Sequence, residues 1–436
     1  MPFAKHYGVS LRKLVEAGQV PESLIDGALL RILRTKLRFA QIGEPDRYVP
    51  ENVVCEEHVA LAREAAAKSI VLLKNEPPGD SAKPLLPLDR TNTKRVAVIG
   101  VLASKPNTGD QGSSKVRPPY VVTPLQGIQE AFTGGGVQVE YHDGLHIQSA
   151  INAALGADVA IIVAGYTHED EGEYIKFLWI SKGGDRDALT LHAHDEALIQ
   201  AVADANPNTV VVMMGGSAII TEAWRECVPA MLMIWYPGME GGHALADVLL
   251  GEVNPSGKLL CVFPKSEAQL PFFDKNADAI DYDRYHGYRL MDHNGEDPAF
   301  PFGFGLSYTT FEYKSLQLDR QELGAAEVLI VSVEITNTGD VAGQETAQLY
   351  VGYPGSRVDR PVKELKGFAK LFLQPGETKR VEFELPIKRL AYYNERRGEW
   401  VVEAIVYQVF VGGSSREVDL LQGQFRVDDE RRTMDD

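Results

Sequence analysis

Cysteine is scarce in this chain, with Cys55, Cys227 and Cys261 the three examples in 436 residues. They are widely spaced and odd in number, so they build neither a disulfide framework nor a Cys-based metal site. That usage is expected of a reducing compartment, which places the protein in the cytoplasm. Positive charge is in deficit as well: 44 Lys and Arg stand against 61 Asp and Glu, for a net charge of −17. Such a surplus repels phosphate backbones and anionic headgroups, so neither nucleic acid nor a membrane is expected as a partner. No apolar run approaches the roughly 18 residues a membrane span requires. Polar and charged residues from Lys5 onward interrupt any signal-peptide pattern. The histidines His142, His146, His168, His192 and His194 form no metal pattern, and His192 and His194, two apart, would not face one site on a helix.

What is present reads as several domains, since about 150 residues make one. Apolar positions Leu24, Ile25, Ala28, Leu29, Ile32, Leu33 and Leu37 fall at helical spacing between Pro21 and Phe39, and a shorter helix covers Ser10 to Val15. Two such helices make no core of their own and look like the tail of something larger. A helix from Glu57 to Ala67 then leads into the buried run Ser69–Lys74. Further apolar strands are expected at 95–100, 158–165, 209–215 and 230–235, separated by helical patterns such as Asp195–Asn206 and Glu240–Leu250. Strands apolar on both faces and alternating with helices indicate an α/β domain with a mostly parallel sheet, whose sites form at the strands' C-terminal ends. From Lys265 to Phe304 the texture is that of an irregular connector. Beyond Phe311, short alternating strands at 325–337, 345–352, 368–373, 378–385 and 404–411 point to an all-β sandwich of immunoglobulin-like type.

The most charged loop of the α/β region, Thr167-His-Glu-Asp-Glu-Gly-Glu173-Tyr174, follows the third strand. Clustered carboxylates raise one another's pKa, as a general acid requires near neutral pH. A solvated acidic loop or a calcium loop has the same composition. Asp185 and Arg186, after two glycines, suit a hydroxyl clamp or a structural salt bridge. Gly109-Asp-Gln-Gly-Ser-Ser114 lacks the Lys-Ser/Thr ending of a phosphate loop and is expected as a tight loop near the sheet edge. Ser217 lacks the frame of a hydrolase nucleophile elbow.

Several ordered segments resemble those of family 3 glycoside hydrolases. They are Ala65-Ala-Ala-Lys-Ser-Ile-Val-Leu-Leu-Lys-Asn75, Gly112-Ser-Ser-Lys-Val-Arg-Pro-Pro-Tyr-Val-Val-Thr-Pro-Leu125, Gly184-Asp-Arg-Asp-Ala-Leu-Thr-Leu191, Trp235-Tyr-Pro-Gly-Met-Glu-Gly-Gly242, Asn254-Pro-Ser-Gly-Lys-Leu259 and Phe300-Pro-Phe-Gly-Phe-Gly-Leu-Ser-Tyr308. The tail from Pro361 to Ser415 looks like the family's fibronectin type III-like domain. The resemblance implies a retaining β-glucosidase-like enzyme acting on a β-linked glycoside, with an Asp nucleophile on an N-terminal (β/α)₈ barrel and a Glu acid/base on a loop of the second domain. Glu173, before Tyr174-Ile175, is the first choice for that acid/base and Glu171, before Gly172, the second. Asp185 and Arg186 are the candidate substrate-binding pair. The mechanism uses carboxylates and water, so no cofactor and no metal are implied.

The departure from the family is at the N-terminus. Residues 1–45 look like the barrel's closing helices, followed by the α/β sandwich domain at 46–265, a connector at 266–310 and the fibronectin-like domain at 311–430. No Ser-Asp-Trp sequence occurs, and the barrel strands and nucleophile are not among these residues. Alone, the chain is expected to be nearly inactive, because a double displacement needs a nucleophile on which the intermediate forms. A barrel-bearing partner chain or a homo-oligomer, a truncated longer protein, and a non-catalytic carbohydrate-binding remnant are the three readings left open.

Overall fold

The computed structural model describes residues 6–40, 49–173, 175–177, 180–182, 184, 186–274 and 277–428. The chain divides into two compact units, Met1–Leu61 and Ala62–Asp436. The first contains helices α1 (Val9–Glu16) and α2 (Glu22–Ala40), and neither helix has a buried residue. The apolar spacing read from the sequence therefore lies open: Leu24, Leu29, Ile32, Leu33 and Leu37 are all exposed.

The second unit begins within α3 (Glu56–Ser69), which hands the chain to β1 (Val71–Asn75). There follow β2 (Arg95–Ile99), α4 (Val101–Ser104), α5 (Pro124–Ala131), β3 (Gln138–His142), α6 (Ile147–Leu155), β4 (Val159–Gly165) and the single turn α7 (His168–Glu171). A short hairpin of β5 (Ile175–Phe177) and β6 (Ile180–Lys182) precedes α8 (Ala193–Ala205), β7 (Thr209–Met214), β8 (Ala230–Met233) and α9 (Gly241–Leu249). The sheet order is β1-β8-β7-β4-β2-β3, with every pairing parallel except β1 against β8. Side chains alternate across the pleat, so each strand feeds two cores. Ile99, Ile162, Val211 and Met213 pack with α6 and α8 on one face. Val98, Ile161, Val212 and Leu232 pack with α3, α5 and α9 on the other. The expected five strands are present; β3 is an addition, an edge strand only half covered and so without an apolar run.

On the second face, α5 and α9 approach closely enough to require glycine. A Cβ at Gly127 would lie 2.1 Å from the Gly242 carbonyl oxygen. Backbone cannot retreat as a flexible side chain does. Gly127→Ala is therefore expected to cost about 1–3 kcal/mol or more, read as a lowered denaturant midpoint. The same helices are tied by His243, whose Nδ1 is 2.6 Å from Glu240 Oε2 and whose Nε2 is 2.8 Å from Glu130 Oε2. Burial alone would lower the imidazole pKa, but the two carboxylates outweigh it and the net shift is upward. A raised folded pKa contributes stability fully present below the unfolded value of about 6.5 and lost as pH rises through the folded value. Stability to urea is expected to fall on going from about pH 6 towards alkaline pH, and His243→Gln to flatten that slope.

The connector carries α10 (Tyr288–Asn294). It docks on the β-sandwich through Lys363 Nζ to Asp292 Oδ1 at 2.7 Å and Arg289 Nη2 to Glu364 Oε1 at 3.2 Å. The sandwich comprises β9 (Phe311–Leu318), β10 (Glu322–Leu323), β11 (Val328–Asn337), β12 (Gly343–Gly352), β13 (Glu364–Leu373) and β14 (Thr378–Pro386). It continues with β15 (Tyr392–Asn394), β16 (Glu399–Val401), β17 (Val406–Gly412) and β18 (Leu421–Val427). Sheets β10-β18-β17-β12-β13 and β14-β11-β9 enclose one core that includes Val331, Leu349, Phe383, Tyr407 and Phe425. The sandwich joins the α/β layer through an ion pair whose carboxylate is buried and whose ammonium is largely covered. Lys258 Nζ lies 3.0 Å from Glu345 Oε2, and the Tyr313 hydroxyl donates to Glu345 Oε1 at 2.8 Å. Cys261 packs against the first core, and burial pushes its thiol pKa up, as suits a small buried hydrophobe and not a reactive thiol.

Candidate active site

The loops leaving β2, β4, β7 and β8 meet at one end of the sheet, because those four strands are neighbours and run parallel. After β4 the chain turns at once into α7. Thr167 caps this turn: its hydroxyl accepts from Glu169 N–H at 3.1 Å, while Asp170 Oδ2 accepts from Thr167 N–H at 2.8 Å. This reciprocal cap fixes which way the acidic side chains leave the loop.

Three of them turn to different partners. Asp170 Oδ1 is 3.0 Å from His192 Nε2. Glu171 reaches back over the strand ends, where its Oε2 accepts from Gly216 N–H and from the Tyr236 hydroxyl, both at 2.6 Å. Its Oε1, 3.4 Å from Arg186 Nε, is sealed from solvent and has no hydrogen-bond partner among the described residues. Glu173 is exposed. One of its oxygens, Oε2, accepts from Ser113 N–H at 2.8 Å, and its own N–H donates to Asp110 Oδ1 at 3.0 Å. The carboxylates thus diverge, and among the described residues no cluster of three His, Cys, Asp or Glu is disposed to hold a metal ion.

Arg186 forms one wall, with its side chain 8% exposed. Its Nη2 donates to Ser217 Oγ and to the Ala218 carbonyl, and its guanidinium carbon sits 4.3 Å from the Tyr166 ring centroid. Asp185, the other half of the predicted clamp, lies outside the described residues, as does Tyr174. Tyr236 follows Trp235, a non-glycine residue at φ +56°. Such a conformation costs about 1–3 kcal/mol and persists where the surroundings over-determine it. Burial, then the hydrogen bond to Glu171, pushes the Tyr236 phenol well above its ordinary pKa, so it remains a neutral donor.

Sequence reasoning missed two participants. Asp110 holds the Gly109–Ser114 loop against the Glu173 loop, accepting from Glu173 N–H, the Ser114 hydroxyl and Gly112 N–H, and these donors hold its carboxyl well below the usual range. That loop was expected near the sheet edge. It follows β2, which lies between the edge strand β3 and β4, and it also reaches over the strand ends towards the Glu173 loop. Tyr236 was the second, visible only within the Trp-Tyr-Pro-Gly segment. The signal available for both was position, since each follows a strand at the same sheet end as the acidic loop. Together Asp110, Ser114, His168, Glu171, Arg186 and Tyr236 border a cavity of about 490 Å³, large enough for one sugar ring.

Residues 70–308 match the glycosyl hydrolase family 3 C-terminal domain, and residues 345–415 match the fibronectin type III-like domain. Thermostable beta-glucosidase B of Acetivibrio thermocellus is 37% identical over 432 residues, which is 95% of this chain and 54% of that protein. A beta-xylosidase of Formosa agariphila is 37% identical over 91% of this chain and 54% of its own length. The crystal structure of the beta-D-glucoside glucohydrolase of Trichoderma reesei superimposes with a TM-score of 0.84 at 32% identity, covering 96% of this chain and 63% of that one. The chain therefore spans about half the length of the curated relatives it matches. Among the described residues, no helix is long and apolar enough to cross a membrane. On the match across 70–308, the agreement of fold and the order of its segments, this chain belongs to glycosyl hydrolase family 3, as the family's C-terminal α/β domain joined to a fibronectin type III-like sandwich.

Proposed function

We propose that this chain supplies the general acid/base carboxylate of a retaining β-glycosidase, and that Glu173 is that carboxylate. The observation that carries the assignment is its half-held state. One oxygen is oriented by Ser113 N–H and the backbone is pinned by Asp110, while the side chain stays exposed. An acid/base must exchange protons with substrate and then with water, so it needs both orientation and access. Glu171 borders the cavity but offers it no free oxygen, since Oε2 already accepts two hydrogen bonds and Oε1, beside Arg186, is sealed among the described residues. Its role in this reading is to anchor the loop to Gly216 and Tyr236.

In the first half-reaction, Glu173 gives its proton to the glycosidic oxygen as the bond to the anomeric carbon breaks, while a second carboxylate about 5–5.5 Å away captures that carbon. In the second, the Glu173 carboxylate takes a proton from the water that attacks the same carbon, and the sugar leaves with its configuration retained. The second carboxylate is assigned to a barrel-bearing polypeptide segment not among these 436 residues, and the open apolar face of α2 is the surface assigned to it. A β-linked glucoside is the substrate class to try first, in keeping with the relatives' names.

The test is hydrolysis of an aryl β-glucoside by the purified chain alone, and by the chain co-expressed with a barrel polypeptide bearing the Asp. Turnover is expected only from the pair. Turnover by the chain alone would contradict a nucleophile supplied from elsewhere.

A further inference from the structure

The sandwich carries a hairpin that neither its core nor the catalytic cavity uses. β15 and β16 pair only with each other, apart from both large sheets. Their register sets Tyr393 opposite Trp400 and Asn394 opposite Glu399. Residues opposite one another share a face, so the two aromatic rings stand together. They meet edge to face with centroids 5.5 Å apart, and both are open, Trp400 at 71% and Tyr393 at 50% exposure. A T-shaped contact leaves a broad ring face uncovered. The Trp400 indole N–H has no hydrogen-bond partner among the described residues.

Beside the rings is a cavity of about 550 Å³ bordered by Arg357, Tyr392, Asn394, Arg397, Glu399 and Trp400. A cross-strand aromatic pair steadies a lone hairpin by about 0.2–1 kcal/mol, yet that role alone does not call for a polar cavity at its side. The charges there are mixed: Arg357 and Arg397 are offset by Glu399, Glu403 and Asp428. Neither a polyanion nor a polycation is favoured by that balance. An open aromatic face flanked by an amide, a guanidinium and a carboxylate suits a neutral, polyhydroxylated ring. The ring's C–H face would lie on the indole, and its hydroxyl edge would meet Asn394, Arg397 and Glu399.

We propose that the β15–β16 hairpin is a saccharide-binding site that takes a neutral β-linked glucan chain, built from residues none of which border the catalytic cavity. The choice of a β-glucan rests on the proposed function; the site itself rests on the hairpin.

The experiment titrates the full chain with cellohexaose and with laminarihexaose, followed by calorimetry and by tryptophan emission, with no turnover required. Binding with an emission change is expected. Trp400→Ala should weaken it about thirty-fold or more, as for an aromatic hot spot. Trp400→Phe keeps a ring opposite Tyr393 and should retain binding while removing the emission change. Arg397→Ala should weaken binding several-fold without disturbing the ring pair, so a collapsed hairpin is not the sole explanation for a loss. Glu173→Gln should bind as the parent does. Absence of hydrolysis by the parent chain paired with a barrel polypeptide, with oligosaccharide binding intact, would count against the proposed function and not against this site. No binding at millimolar oligosaccharide, or binding indifferent to both Trp400→Ala and Arg397→Ala, would overturn the proposal. So would a dimer that reverts to monomer in Trp400→Ala, because the hairpin would then be covered by a second copy.

Discussion

Glu173→Gln is expected to lower kcat/KM of the assembled enzyme on an alkyl β-glucoside by about 10²–10⁴-fold, the usual yield of a positioned general acid. The amide preserves size and can still accept from Ser113 N–H, so loop geometry is retained while the proton is lost. An aryl glucoside with a good leaving group needs little protonation, and its glycosylation step should fall far less. This split between leaving groups separates an acid/base from a residue that merely shapes the site. Glu171→Gln should produce no such split. It weakens the anchor to Gly216 and Tyr236, and its effect should be similar for both substrates. A leaving-group split at Glu171, with none at Glu173, would exchange the two roles.

The second large effect concerns the joint between the layers. Glu345, with its side chain 6% exposed, is held by Lys258 and Tyr313. Lys258 also donates to the Gly305 carbonyl at 2.9 Å, which ties the pair to the Phe300–Tyr308 segment. Glu345→Ala would leave the largely covered Lys258 ammonium, its side chain 15% exposed, without its counter-charge, a loss of up to about 3–5 kcal/mol. Replacing both partners by apolar residues removes the stranded charge and should recover most of that loss. Equilibrium denaturation of the two single variants and the double variant gives the coupling directly. A single-variant loss below about 1 kcal/mol would mean that water reaches the pair as it does on a surface.

Much of the α/β layer was legible because β2, β4, β7 and β8 are covered on both faces and leave continuous apolar runs. Where one side of a strand is open, the signal thins. β3, with burial only on one side, passed unread, and so did β9 and β18 of the sandwich, whose exposed positions alternate with covered ones. The acidic loop was found because its composition is local. Its partners were not, since Asp110, Gly216 and Tyr236 come from distant parts of the chain and are brought together only by the strand order. Composition shows that carboxylates cluster; it does not show that Glu171 turns inward to two donors while Glu173 stays open. That difference depends on the Thr167 cap and on which loops are neighbours.

Azide rescue of an alanine variant tests the central claim most directly. Azide attacks a glycosyl-enzyme without help from a general base, so it restores turnover with retained configuration where the missing group was the acid/base. With an activated aryl β-glucoside and the barrel polypeptide present, Glu173→Ala should be rescued by azide with formation of the β-glycosyl azide, and Glu171→Ala should not. Rescue of Glu171→Ala in place of Glu173→Ala would contradict the account.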